Sequence, residues 1–172
     1  KALEKSIKIM NDTWELFFNK ETQLFQKNII KDNDLFASPI DLNDSNIPNG
    51  NSVYLLISNK LYSITNDKIW SERNEVLKKS FHQVLNSYYS QMFSFIKTLD
   101  ICDNSLSFTF SGTSQSIKEM QLYLQKEYLG IATFVYQLNN DTKPSVIICK
   151  NQTCSNKLTS ISEAVEYLSK SD

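Results

Sequence analysis

At Asn104 the chain changes its hydrophobic period. Upstream, apolar residues recur at steps of three and four. Downstream, Leu106, Phe108 and Phe110 alternate with Ser107, Thr109 and Ser111, which is the period of a strand buried on one face. A chain carrying both periods in separate halves is neither all-helical nor all-β, and it reads as α+β. We therefore expect antiparallel helical hairpins over residues 1–103 and a small β-α-β-β-α lobe over residues 104–172.

In the first half, Leu3, Ile7, Met10, Trp14 and Phe17 predict one helix over residues 2–19. Residues 19–51 are polar and read as loop, with short extended pieces at Leu24-Phe25-Gln26 and Ile29-Ile30. A second helix is expected from Asn51 to Thr65, burying Val53, Leu56, Ile57, Leu61 and Ile64, and Asn66-Asp67 breaks it. A third helical region runs from Ile69 to about Leu99 with a kink. Its stripe is Val76, Leu77, Phe81, Val84, Leu85, Tyr88, Met92, Phe95 and Ile96. Short links between such helices favour antiparallel neighbours.

In the second half, Gly112, Thr113 and Ser114 follow the first strand and open a helix with Ile117, Met120, Gln121, Leu124 and Tyr128 on one side. Gly130 is expected to end it in a left-handed cap. Strands follow at residues 131–138 and 145–149, separated by the turn Asn139-Asn140-Asp141. A last helix begins at Ser160 or Ser162. The order predicts a parallel first pair joined by a right-handed crossover, with a third strand added antiparallel.

Composition excludes several classes of function. The 18 basic and 19 acidic residues leave a net charge of −1, and Lys78-Lys79 is the densest basic patch, so binding through phosphate neutralisation has no footprint. No apolar run approaches the ~20 residues that span a bilayer. No charged-then-apolar signal segment opens the chain, and a cytoplasmic location is expected. Neither a cofactor nor a metal is expected.

Asp41 to Val53 places Pro48, Gly50 and several amide side chains directly before an apolar helical run. Pro48 fixes one backbone angle and Gly50 admits angles other residues avoid. Asn49, Asn51 and Ser52 can each accept from the free N–H groups of a helix start. Asp41 and Asp44 are candidate paired carboxylates, which glycoside chemistry requires. The plainer reading is that they serve the turn.

Cys149 and Cys154 are separated by four residues. A thioredoxin-type redox pair has two intervening residues, and a zinc site needs two further ligands. Reduced structural cysteines are the first expectation, a reversible disulfide the second and metal the last. His82, the only histidine, reads as a surface or packing residue rather than a general base. Gly112 with Ser111, Thr113 and Ser114 reads as a helix cap before an anion site. Phe81, Tyr88, Tyr89, Phe93 and Phe95 could stack on a sugar, but at helical spacing they read as core.

Three segments carry a resemblance. Asp44, Pro48 and Gly50-Asn51-Ser52 resemble the Asp-Gly-Ala and Pro-Ser-Gly-Asn-Ser motifs of the YyaL-type thioredoxin-domain proteins, the family of the spermatogenesis-associated thioredoxin-like protein. Ser45 and Asn46 stand for the Gly and Ala, and Asn49 for the first Ser. Ile148-Cys149-Lys150-Asn151-Gln152-Thr153-Cys154 is similar to the family's Val-Cys-Arg-Asn-Phe-Thr-Cys. Trp14, Phe17-Phe18 and the run Lys20 to Phe25 resemble its segment of Phe-Trp-Asp, a Gly-rich turn and an aromatic. The resemblance implies that residues 1–103 complete a six-hairpin (α/α) barrel, akin to sugar epimerases and glycosidases. It implies an N-terminal thioredoxin-like domain and the rest of the barrel as partners, outside this sequence. The lack of an initial Met agrees with a fragment. Carbohydrate is the implied ligand, with Asn49, Gly50 and Asn51 lining its cavity. The alternative is a non-catalytic scaffold that binds a protein client.

Overall fold

The computed structural model describes residues 1–29, 39–40, 42–150 and 153–170. The chain is α+β and divides into two compact units, Lys1–Cys102 and Asp103–Asp172.

The first unit opens with α1 (Ala2–Phe17). The helix stops two residues early because Phe18 and Asn19 become β1 and pair with β2 (Leu24–Phe25) in a small hairpin. Asn19 shapes its turn by accepting from the N–H groups of Glu21 and Thr22. The expected extended piece at Ile29 is absent, and Ile30 lies outside the described residues.

Helix α2 (Gly50–Thr65) ends at Asn66, whose left-handed backbone (φ 55°) fits its amide side chain. Its buried face differs from the expected one. Asn51, Tyr54, Leu55, Ser58 and Leu61 are buried, whereas Val53, Ile57 and Ile64 are 40%, 36% and 40% exposed. Of the expected stripe, Leu61 is buried and Leu56 half-buried, while the other three face outward. The polar residues that are buried are satisfied there: Ser58 Oγ donates to the Tyr54 carbonyl and meets Asn74 Oδ1.

The long helical region is two helices, α3 (Lys68–Tyr88) and α4 (Phe93–Asn104), joined by a 3-10 turn at Tyr89–Gln91. The break folds α4 back so that Phe81 and Phe95 stack 3.6 Å apart, both fully buried beside Met92. Phe93 and Tyr89 point outward, 67% and 63% exposed, so of the expected aromatic series Phe81 and Phe95 are core, and the Tyr88 side chain lies outside what is described. The core is completed by Met10, Leu24, Phe25, Leu77 and Trp70. Trp14 stacks on Phe18, and Arg73 lies over the rings of Trp14 and Trp70 while donating to Asn11 and Tyr54. Burial pushes the Tyr54 phenol up to about 12, against the lowering effect of Arg73.

The second unit is a four-stranded sheet with two helices. Strand β3 (Leu106–Gly112) leads through α5 (Ser114–Glu127) to β4 (Ala132–Leu138), which pairs parallel to β3. The third strand, β5 (Ser145–Lys150), joins the other side of β3 antiparallel, and β6 (Thr153–Cys154) adds to β5, giving the order β4-β3-β5-β6. Phe108, Phe110, Val146 and Ile148 share one face and pack with Ile117, Met120 and Leu124 of α5 and with Ala164 and Leu168 of α6 (Ile161–Ser169). Ser160 and Glu163 form a capping box at the start of α6.

Gly130 does not end α5 as expected. The helix closes on Tyr128 in extended backbone, and the hydroxyl end of the Tyr128 ring occupies the space beside Gly130 that a Cβ would take. Gly112, at φ 149°, does occupy the positive region, with a Cβ position 3.0 Å from Ser116 Oγ. It admits the turn from β3 into the Thr113 cap.

Candidate functional site

The turn before α2 is organised by one carboxylate. Asp44 Oδ1 accepts from the Asn49 N–H (3.0 Å), from Asn49 Nδ2 (2.9 Å) and from Ser94 Oγ; Oδ2 accepts from the Ser94 N–H at 2.6 Å. The Asp44 N–H donates to the Gln91 carbonyl. Two helix starts thereby meet at one acid. Asn49 is the N-cap of α2, its Oδ1 accepting from the Ser52 N–H and hydroxyl. Ser94 lies in the first turn of α4, where Asp44 caps it from outside the helix.

Asp44 thus accepts three bonds on Oδ1 and one on Oδ2, all from the two helix starts it joins. Burial pushes its pKa up, but the hydrogen bonds from Ser94 and Asn49 outweigh that and hold it below its ordinary 3.8. A lowered folded-state pKa stabilises the fold above the ordinary carboxylate value and is lost as pH falls through it. We expect acid titration of the full chain to weaken the helical unit below pH 3.8. Asp44→Asn should flatten that part of the stability–pH curve, measured by urea unfolding at stepped pH.

Asn51 is not the cap. It is fully buried, and its two ends clamp the backbone of Phe25: Oδ1 accepts from the Phe25 N–H at 2.8 Å and Nδ2 donates to the Phe25 carbonyl at 3.2 Å. The side chain of Asn51 thus holds β2 against α2 and faces protein on both sides. Asp41 lies outside the described residues.

Beside the turn is an open cleft of about 390 Å³. Phe17, Phe25, Ile47 and Pro48 supply apolar wall, while Thr13, Gln26, Lys27, Asn43 and Ser45 supply polar atoms; Asn49 and Gly50 border it and Asn51 does not. Among the described residues, no carboxylate lines it. Sequence reasoning missed Ser94, which is 50 residues from Asp44, and missed Thr13, Gln26 and Asn43 as cleft residues. No local signal marks them, because long-range folding alone brings α1, β2 and the turn together.

Cys149 and Cys154 stand opposite each other in the β5–β6 pairing and form a disulfide. This corrects the first expectation of reduced cysteines. Antiparallel pairing of β5 with β6 sets the two cysteines directly opposite each other. Cys102 is a buried cysteine outside this disulfide. Among the described residues, no group of His, Cys, Asp and Glu suits a metal, and no helix is long and apolar enough to cross a membrane. His82 lies on α3 with an exposed side chain. Comparison with protein-family models and with curated proteins finds no match.

Proposed function

We propose that this chain is a section of a YyaL-type thioredoxin-domain protein and that its helical unit binds a ligand without transforming it. The observation that carries the non-catalytic reading is that, among the described residues, no carboxylate lines the cleft, while Asp44 serves the turn. Both carboxylate oxygens are taken by groups that hold α2 and α4 in place. A general acid or base must reach its substrate, and Asp44 is not among the residues that line the cleft. Asn51 is likewise committed, to Phe25.

Val53, Ile57 and Ile64 support a place in a larger helical barrel. They lie exposed along α2 on the side away from the unit's own core, where neighbouring hairpins of an (α/α) barrel would cover them.

The carbohydrate reading rests on the cleft. Its volume suits one or two sugar rings, and apolar wall beside amide and hydroxyl groups matches the two-faced chemistry of a sugar. The test is calorimetric titration of the full-length protein with a panel of mono- and disaccharides, together with product analysis. Binding with no turnover, weakened by Asn43→Ala, is the expected result. Binding of unfolded protein clients with no response to sugars would favour the scaffold alternative. Turnover of a glycoside would overturn the non-catalytic reading.

A further inference from the structure

The disulfide sits where chemistry can reach it. Cys154 is exposed on the two-residue edge strand β6, and Cys149 is half-buried on β5. In the β3–β5 register Cys149 aligns with Ser107, and Ile148 with Phe108. Aligned residues share a face, so Cys149 lies on the sheet face opposite Phe108 and Ile148, the pair packed with α5 and α6. The sulfurs are therefore outside the lobe's core.

The backbone around the bridge is held without it. The Ser155 N–H donates to the Ile148 carbonyl at 2.8 Å, and the Ile148 N–H donates to Ser155 Oγ at 3.0 Å. Val146 and Leu158 exchange two further bonds, each 2.9 Å. These contacts flank the bridge and pin the segment from 153 to 158 onto β5. A loop of sequence separation 5 also constrains the unfolded chain less than a long one. The lobe keeps its own packed centre of Phe108, Phe110, Val146 and Ile148. Opening the bond thus leaves two thiols still opposite each other in the β5–β6 pairing.

We propose that Cys149 and Cys154 form a reversible dithiol–disulfide couple, an exchange site that accepts electrons from a dithiol reductant. The reductant's thiolate attacks Sγ of Cys154, the more exposed of the two residues. The Cys149–Cys154 bond breaks, a mixed disulfide forms at Cys154, and Cys149 leaves as a thiolate that takes up a proton. The reductant's second thiolate then attacks its own sulfur in the mixed disulfide, closing an oxidised dithiol and releasing Cys154, which is protonated in turn. Two electrons and two protons pass from the dithiol to the pair.

The experiment uses the full chain, native and without denaturant. It is treated with dithiothreitol, trapped with a maleimide and analysed by peptide mass spectrometry, with circular dichroism on the same samples. Labels at Cys149 and Cys154, unchanged secondary structure, and recovery of the bridge on adding oxidised dithiothreitol are expected. A pair that stays oxidised in excess dithiothreitol, or a lobe that unfolds on reduction, overturns the proposal and makes the bond a structural staple. The single variants test the attacked sulfur. Cys149→Ser, which leaves the exposed thiol, should take up glutathione from glutathione disulfide roughly tenfold faster than Cys154→Ser, because exchange rate follows thiol access. Equal or reversed rates overturn the assignment of Cys154.

Discussion

Asp44→Ala is expected to destabilise the helical unit by about 3 kcal/mol. A hydrogen bond to a charged acceptor contributes about 1.5–3 kcal/mol, and loss of a cap costs about 1. Asp44 accepts four such bonds. Simple addition overstates the loss, since Asp44 is half-buried and water can replace part of what is removed. Chemical unfolding of the full chain, followed by helical circular dichroism, measures the effect. Ser94→Ala tests the same network from its other end. It keeps the Ser94 N–H bond to Asp44 Oδ2 and removes only the hydroxyl, so a smaller loss is expected. The double variant should lose less than the sum of the two singles, as coupled partners do. An Asp44 variant with unchanged stability and reduced ligand handling would show instead that this carboxylate works at a binding or reacting centre, and the proposed role would fail.

Much of this fold was legible in the sequence because short-range patterns governed it. The strand β3 is the clearest case: Leu106, Phe108 and Phe110 alternate with polar neighbours, and each buried position falls where period two puts it. The parallel β3–β4 pair and the antiparallel β5 followed from one intervening helix and then one tight turn. Capping chemistry located α5 and α6 at Thr113 and Ser160.

The misread elements are those decided by distant residues. Nothing near Tyr88 announces that α3 ends there; Asp44, holding Ser94 from the other side of α2 in sequence, fixes where α4 begins. On α2, a count of apolar residues favours Val53, Ile57 and Ile64, yet the helix turns its amide and hydroxyl side chains inward. That choice is stable only because Phe25 and Asn74 stand ready to pair with them. Burial of polar groups depends on partners the local sequence does not display. The cysteines show the same limit. Their spacing left reduced, bridged and metal-bound states open, and strand register chose among them.

Asn51→Ala is expected to cost about 2–4 kcal/mol, more than an ordinary cap substitution. The truncation does not merely delete a favourable contact. It leaves the N–H and the carbonyl of Phe25 without their side-chain partner in a site where Asn51 is 0% and Phe25 3% exposed, and each buried orphan costs about 1–3 kcal/mol. Asn51→Asp separates the two halves of the clamp. Its oxygen can still accept from the Phe25 N–H, but at neutral pH the carboxylate opposes the Phe25 carbonyl and no donor remains. Burial beside that carbonyl raises the folded-state pKa of the new acid above its unfolded value. The folded chain then binds the extra proton more readily, so stability of Asn51→Asp should rise as pH falls toward the ordinary carboxylate range. Asp44 is present in both proteins and its contribution is lost from both alike at the acid end, so the variant's own gain on protonation makes the two stability–pH curves converge. Urea unfolding of both proteins at stepped pH measures the difference. Parallel curves would mean that the Phe25 carbonyl has another donor and that the asparagine is held there for something other than its clamp.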